Sequence, residues 1–98
     1  GDVFLSPNLL SVETAAKEMW AVAAENPRVK DPVEHYILSW QEGEQPTKEQ
    51  WQEAVTHTLD ALGWKDHQWL AVSHEDTGNF HVHVMANKVH PETYRSHT

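Results

Sequence analysis

The segment NFHVHVMAN, residues 79–87, alternates strictly between two kinds of side chain. Its even positions are all apolar: Phe80, Val82, Val84 and Ala86. Because successive side chains of a β-strand point to opposite faces of a sheet, this period of two predicts a strand whose apolar face lies on the core. His81 and His83 then project together from the other face, with Cα atoms roughly 6 to 7 Å apart.

A second strand is predicted just before this one, in HQWLAVSH at residues 67–74. The two strands are joined by EDTGN at residues 75–79, in which Asp, Gly and Asn favour turns. We predict a β-hairpin with Thr77 and Gly78 at its tip. Its register contains three cross-strand pairs: Asp76 with Asn79, His74 with His81, and Val72 with His83.

This register gathers three histidines and one aspartate on a single face of the sheet. The chain has no cysteine, so a transition metal would have to be held by His, Asp, Glu or Asn. Three neutral imidazoles with open coordination positions suit a catalytic Mg²⁺, Mn²⁺ or Zn²⁺ ion. We predict that His74, His81 and His83 ligate this ion. Asp76 fits better as an acceptor that fixes the tautomer of a histidine.

The remaining histidines have less specific interpretations. His57, His67, His90 and His97 are predicted to be exposed polar side chains, without a role in the site. His35 lies in the middle of a predicted strand, where a partly buried histidine with satisfied hydrogen bonds is also possible.

Two helices are predicted upstream of the hairpin. The first is capped by Ser11 and ends before Pro27. The second is capped by Thr47, with Gln50 completing a capping box, and ends at Gly63. Their apolar stripes are Val12, Ala15, Ala16, Met19, Trp20, Val22 and Ala23 in the first helix, and Trp51, Ala54, Val55, Leu59 and Leu62 in the second.

A third strand is predicted between the helices, in VEHYILSW at residues 33–40. Its two faces carry Val33, His35, Ile37 and Ser39 on one side and Glu34, Tyr36, Leu38 and Trp40 on the other. Because both faces are partly apolar, the strand is predicted to lie in the interior of the sheet. The first ten residues, GDVFLSPNLL, are interpreted as a turn at Ser6-Pro7-Asn8.

The element order is therefore helix, strand, helix, strand, strand. It predicts an α+β fold in which one antiparallel sheet is covered by helices on one face. Residues 1–98 are long enough for a single domain.

Charge and hydropathy narrow the setting of the chain. The formal net charge is −8, which argues against a broad nucleic-acid footprint. Residues 65–98 hold four acidic and three basic side chains, so the histidine-rich third is nearly neutral. Neither a membrane span nor a signal peptide is found, and we expect a cytoplasmic protein without membrane contacts.

The string HEDTGNFHVHVMANKVHPET, residues 74–93, resembles the third motif of the mobilisation-protein relaxases (MobA/MobL-like) of conjugative and mobilisable plasmids, members of the HUH endonuclease superfamily. That motif runs roughly His-x-Asp-Thr-x-Asn-x-His-x-His, with an Asn four residues further on. RVKDPVEHYILSWQEGE resembles the second motif of the family, and TKEQW with LDALGW resembles the helix that leads to the metal-binding strands. The resemblance spans residues 11–95.

The resemblance implies roles for six residues. They are His74, His81 and His83 as metal ligands, Asp76 as the residue that orients His74, and Ser39 and Asn87 as DNA contacts. His74 and Asp76 are thereby expected to take part in catalysis. The family's substrate is single-stranded DNA at the transfer origin, and further expected partners are relaxosome accessory and coupling proteins. The family's nucleophile is a tyrosine, which becomes joined to the 5′ phosphate and leaves a free 3′ hydroxyl.

That tyrosine lies in a first motif near the N-terminus of these relaxases, and no such segment precedes residue 11 here. Tyr36 is out of phase with Ser39 and is predicted to be a packing aromatic, and Tyr94 lies beyond the motif. We therefore expect a fragment of a relaxase domain that lacks the tyrosine motif. Such a fragment would be inactive alone, with its nucleophile supplied from outside the chain.

Three alternatives stay open at this point. A rolling-circle replication initiator or a transposase of the HUH class would share the His-x-His strand. The histidines could instead hold a structural zinc ion in a non-catalytic interaction module, whose folding would then depend on the metal. A metal-free degenerate domain kept for protein contacts is the third.

Overall fold

Four strands and two helices make up the described part of the chain in a computed structural model. The structure describes residues 1–76 and 78–97, without the side chain of Asp76. The elements are β1 (Val3–Leu5), α1 (Val12–Ala23), β2 (Val33–Ser39), α2 (Lys48–Leu62), β3 (Trp69–Asp76) and β4 (Asn79–Asn87). No helix in these ranges is long and apolar enough to cross a membrane.

Both helices begin where their capping residues predict. The Ser11 side chain accepts a hydrogen bond from the Thr14 N–H, which satisfies one of the free donors in the first turn of α1. Thr47 and Gln50 form the predicted capping box at the start of α2. Gly63 ends α2 in the left-handed conformation, with φ of 84°, which glycine adopts without a steric cost.

The strands form one antiparallel sheet in the order β1-β3-β4-β2. β1 was not predicted, because it has only three residues and directly precedes the turn-forming residues Ser6-Pro7-Asn8. The prediction that β2 is an interior strand is wrong, because β2 pairs with β4 and lies at an end of the described sheet. Its second apolar face is explained by packing against the core under α2.

The hairpin of β3 and β4 has the predicted register. Asp76 pairs with Asn79, His74 with His81, and Val72 with His83. Thr77, predicted at the tip, lies outside the described residues. Gly78, also predicted there, has φ of 85°, a left-handed conformation that favours glycine in tight turns.

α2 packs against one face of the sheet and forms the main core with it. The buried members are Trp51, Val55, Leu59, Trp64, Trp69, Ala71, Val82, Val84 and Ala86. The apolar residues of β4 therefore lie on the core, as the alternation predicts. In α2 the predicted stripe is confirmed at its centre, whereas Leu62 at the end of the helix is exposed.

α1 packs against the opposite face of the sheet. Ala15 and Met19 contact a second apolar cluster that includes Leu70. Leu70 pairs with Met85 and lies on the face opposite to Trp69 and Ala71, the β3 residues under α2. The α+β class, the antiparallel sheet and the order of the predicted elements are confirmed. The detail that both helices cover one face is corrected, because α1 covers part of the other.

Candidate functional site

The half of the second sheet face that α1 leaves uncovered is rich in polar side chains, which among the described residues include His35, Ser39, His74, His81 and His83. We call this surface the histidine face. It is open because the apolar partners of α1 on this face, Leu5, Val33 and Leu70, are grouped at one end of the sheet. The face therefore has an apolar end that α1 covers and an open end where the histidines lie, with Ile37 and Val72 beside His83.

Each histidine of β4 is hydrogen-bonded to a side chain of β2. The Ser39 Oγ lies 3.1 Å from the Nδ1 of His81, which is its direct cross-strand neighbour. The His35 Nε2 lies 3.0 Å from the Nδ1 of His83. These two rings have centroids 5.2 Å apart and planes inclined by 29°. In both β4 histidines the Nδ1 atom is thus engaged, and the Nε2 atom is left for another ligand.

His74 completes the set from β3. Its side chain is exposed, and its ring centroid lies 6.5 Å from that of His83, with the ring planes inclined by 72°. The predicted gathering of His74, His81 and His83 on one face is therefore found. In the described residues, however, no three His, Asp or Glu side chains converge as they would around a bound ion.

The side chains present nevertheless fit a divalent cation. His74, His81 and His83 offer imidazole nitrogens, which suit Zn²⁺ and Mn²⁺. His74 and His81 are direct cross-strand neighbours. Hydrogen bonds at Nδ1 of His81 and His83 leave Nε2 as the free nitrogen, as in metal-binding histidines whose other nitrogen is held by a neighbour.

Asp76 is the one predicted site residue whose side chain the structure does not describe. Its backbone belongs to β3, two residues from His74. The role of Asp76 as the partner of His74 stays a prediction.

The prediction that Asn87 contacts DNA is corrected by its burial. The side chain is 0% exposed, and its Nδ2 donates to the Met19 carbonyl oxygen and to the Gln68 Oε1. Its Oδ1 accepts from the N–H of Val89. With these three bonds Asn87 ties α1 and the segment after β4 to the sheet, and no face of it is free for a nucleotide.

The other histidines differ from their predictions in two places. His67 was predicted to be exposed but is buried, with its Nδ1 2.7 Å from the Asn87 carbonyl oxygen. Burial lowers the pKa of the His67 imidazole, and the bond to Asn87 opposes this change only in part. His90 is half-buried, and its Nδ1 accepts from the N–H groups of Glu92 and Thr93 in the following turn. His57 and His97 are exposed, as predicted.

His35 is the site residue that sequence reasoning missed. It is hydrogen-bonded, but it is exposed rather than partly buried. The available signal was its phase: His35 and Ser39 are four residues apart in a strand and therefore share a face. What the sequence did not show is that β2 pairs with β4, which places His35 diagonal to His83.

Neither tyrosine belongs to the histidine face. Tyr36 lies on the other face, as predicted, where it packs on the core and its hydroxyl lies 2.7 Å from the Thr58 Oγ1. Burial raises the pKa of the Tyr36 phenol, which makes the nucleophilic phenolate harder to form. Tyr94 lies in the turn after β4, where its carbonyl oxygen accepts from the Asn26 side chain.

Comparisons with known proteins identify the family of the chain. Residues 3–98 match the family described as "Relaxase: MobA/VirD2-like, nuclease domain". Protein MobA of Acidithiobacillus ferrooxidans is 52% identical over 77 residues, which cover 79% of this chain and 19% of that protein. A protein TraI of Escherichia coli is 34% identical over 88 residues, covering 89% of this chain and 12% of that protein. No solved structure matches the chain with significance.

An antiparallel α+β sheet with an open, histidine-lined face is consistent with a nuclease domain, and the match extends over nearly the whole sequence. The chain belongs to the MobA/VirD2-like relaxase family, in its nuclease domain. It spans less than a fifth of the length of each of these two relatives. This family is the one that the motif at residues 74–93 resembles, and it is favoured over the replication initiators and transposases.

Proposed function

We propose that this chain is the cation-binding part of a relaxase nuclease domain that nicks single-stranded DNA at a plasmid transfer origin. The observation that carries the proposal is the register of the β3-β4 hairpin, which brings His74, His81 and His83 to one open face. Membership of the relaxase family supports the same chemistry. A cytoplasmic location and relaxosome partners belong to this proposal.

The side chains of the histidine face have distinct roles in it. His74, His81 and His83 would hold Mg²⁺, Mn²⁺ or Zn²⁺, and Asp76 would orient His74. When bound, such an ion stabilises the negative charge that builds on the non-bridging phosphate oxygens during attack. Ser39, exposed beside His81, is the candidate for a DNA contact next to the scissile phosphate.

The nucleophile in this proposal is a tyrosine from outside these 98 residues. Its phenolic oxygen forms a bond to phosphorus while the bond from phosphorus to the 3′ oxygen breaks. The phenolic proton is lost to solvent or a nearby base, and the departing 3′ oxygen takes up a proton to become a free hydroxyl. The products are a 5′-phosphotyrosine and a 3′ end, and the phosphoester is retained for later rejoining. The partly buried Tyr36 on the other face, with its hydroxyl 2.7 Å from the Thr58 Oγ1, supports this assignment.

Calorimetric titration tests the cation site. The wild-type chain is titrated with Mn²⁺ and with Zn²⁺ alone, beside the double variant His81→Ala/His83→Ala. His57→Ala is the matched control, because His57 is an exposed histidine on α2, which packs on the other face. We expect binding in the wild type and in the control and none in the double variant. Equal affinity in all three would contradict the assignment of the ligands.

A nicking assay tests the reaction. The chain is incubated with Mn²⁺ and a 5′-labelled single-stranded oligonucleotide that spans the transfer origin of its own genetic element. The tyrosine-containing segment of the same relaxase is added in one series and omitted in the other. We expect a shorter product with a 3′ hydroxyl only when the segment is present. Nicking by the chain alone, abolished by Tyr36→Phe, would show that the nucleophile is in this chain after all.

A further inference from the structure

β2 carries a histidine that the third motif does not include but that contacts it directly. His35 lies on the histidine face, and its Nε2 is 3.0 Å from the Nδ1 of His83. The distance is that of a hydrogen bond, so one of the two nitrogens carries the proton and the other accepts it. The two arrangements have opposite consequences for His83.

If the Nδ1 of His83 carries the proton, its Nε2 keeps a free lone pair and can ligate a cation. If His35 carries the shared proton, the neutral His83 ring must hold its own proton at Nε2, and that nitrogen cannot ligate. The bond to His35 therefore selects the tautomer of His83. Metal-binding histidines are commonly held in this way by an acceptor at the second nitrogen.

β2 also contacts the other histidine of β4, His81, at its Nδ1 atom. Ser39 lies on the same face of β2 and approaches the Nδ1 of His81 at 3.1 Å. Both histidines of the His-x-His pair thus have the same nitrogen engaged by β2. The spacing of His35 and Ser39 by four residues matches the two histidines because His81 is the direct neighbour of Ser39 and His83 is diagonal to His35.

We propose that His35 is a positioning residue: its Nε2 accepts a hydrogen bond from the Nδ1–H of His83 and thereby keeps the Nε2 of His83 available to a divalent cation. This inference rests on the proposed function in taking His83 as a ligand. His35 is not itself assigned as a ligand, because its Nε2 is occupied by His83.

Two substitutions of His35 and one control test whether the hydrogen-bond acceptor or the ring of His35 is what His83 requires. His35→Gln keeps an acceptor oxygen near the place of Nε2, whereas His35→Phe keeps a flat ring without any acceptor. His57→Phe is the matched control, an exposed histidine on α2 rather than on the histidine face. Calorimetric titration with Zn²⁺ alone and with Mn²⁺ alone measures their affinities.

Loss of an outer hydrogen-bond partner typically weakens metal affinity by about 10- to 100-fold. We expect this loss in His35→Phe, substantial recovery in His35→Gln and no change in His57→Phe. Affinity in His35→Phe equal to that of the wild type would overturn the proposal. Complete loss of binding in both His35 variants would also overturn it, because His35 would then behave as a ligand.

A second measurement needs no metal. Nitrogen-15 NMR of the imidazole rings in the metal-free wild type reports which nitrogen of His83 carries the proton. We expect Nδ1–H for His83 in the wild type and a shift toward Nε2–H in His35→Phe. A wild-type His83 protonated at Nε2 would overturn the proposal.

The two measurements also separate this inference from the proposed function. A wild type that binds neither Zn²⁺ nor Mn²⁺ contradicts the cation site, whereas the tautomer of His83 still reports on His35. If His83 then carries its proton at Nδ1 only when His35 is present, the positioning of His83 stands without the cation site.

Discussion

The two faces of the sheet differ in burial and in the type of side chain that they carry. Under α2 the sheet is sealed: Val82, Val84 and Ala86 of β4 are inaccessible to solvent and pack against buried residues of the helix. On the other face, one residue away along the same strand, His81 and His83 remain partly exposed and bond to β2. Stability and chemistry are therefore carried by the same strand but by side chains of opposite phase.

Asn87 and α1 lie on the histidine side of the sheet but contribute to the stability of the fold. α1 lies on the histidine side of the sheet but contributes apolar packing through Ala15 and Met19. Asn87 bonds to α1, to Gln68 and to Val89 from the end of β4. We therefore expect substitutions under α2 to lower the stability of the fold and substitutions among the histidines to weaken cation binding. Substitution of Asn87 should lower stability rather than binding.

The largest effect is expected at the centre of α2. Leu59 is 0% exposed, and Leu59→Ala should lower the free energy of unfolding by about 2 to 5 kcal/mol, because a cavity replaces packed methyl groups. Leu62→Ala is the control: Leu62 is one turn further along and 43% exposed. Urea unfolding followed by circular dichroism measures both. Equal losses would show that the core is not confined to the described stripe.

Asn87 should have the next largest effect. Asn87→Leu leaves the Met19 carbonyl, the Gln68 side chain and the Val89 N–H without their partner. An unsatisfied buried group costs roughly 1 to 3 kcal/mol, and we expect a total loss of about this size because relaxation lets the freed groups find other partners. Urea unfolding should therefore show a clear loss of stability. A variant with wild-type stability and weakened binding to single-stranded DNA would restore the DNA contact predicted from the motif.

The histidine face should contribute little to folding. In His81→Ala/His83→Ala we expect a change below about 1 kcal/mol in the free energy of unfolding, since these side chains are only partly buried. Thermal unfolding with and without a chelator should show a cooperative transition in both cases. Loss of the folded state on metal removal would instead favour the structural zinc module.

The smallest effect is expected from pH. Burial lowers the pKa of His67 below its ordinary value of 6.5, so the unfolded chain takes up a proton at a higher pH than the folded chain. The stability from neutral His67 is thus present above about pH 6.5 and is lost as the pH falls toward the lower folded-state pKa. His67→Gln should flatten this dependence in urea unfolding. His57→Gln, at an exposed position, should leave it unchanged.

The hairpin could be predicted in detail because its determinants are local. Alternation along residues 79–87 defines the two faces of β4, and turn-forming residues at its start define the register. The caps at Ser11, Thr47 and Gly63 are local for the same reason. Each of these predictions needed contacts only within a few residues, and each is confirmed.

The sequence by itself determined that three histidines share a face. Only the tertiary structure decided what surrounds them, because strand neighbours, the side on which a helix packs and the burial of a polar group depend on contacts between distant segments. β2 beside β4 made His35 a partner of His83, and α1 on the histidine side left half of that face open. The same long-range packing buried His67 and Asn87. Their neighbours in sequence had predicted an exposed side chain for His67 and a DNA contact for Asn87.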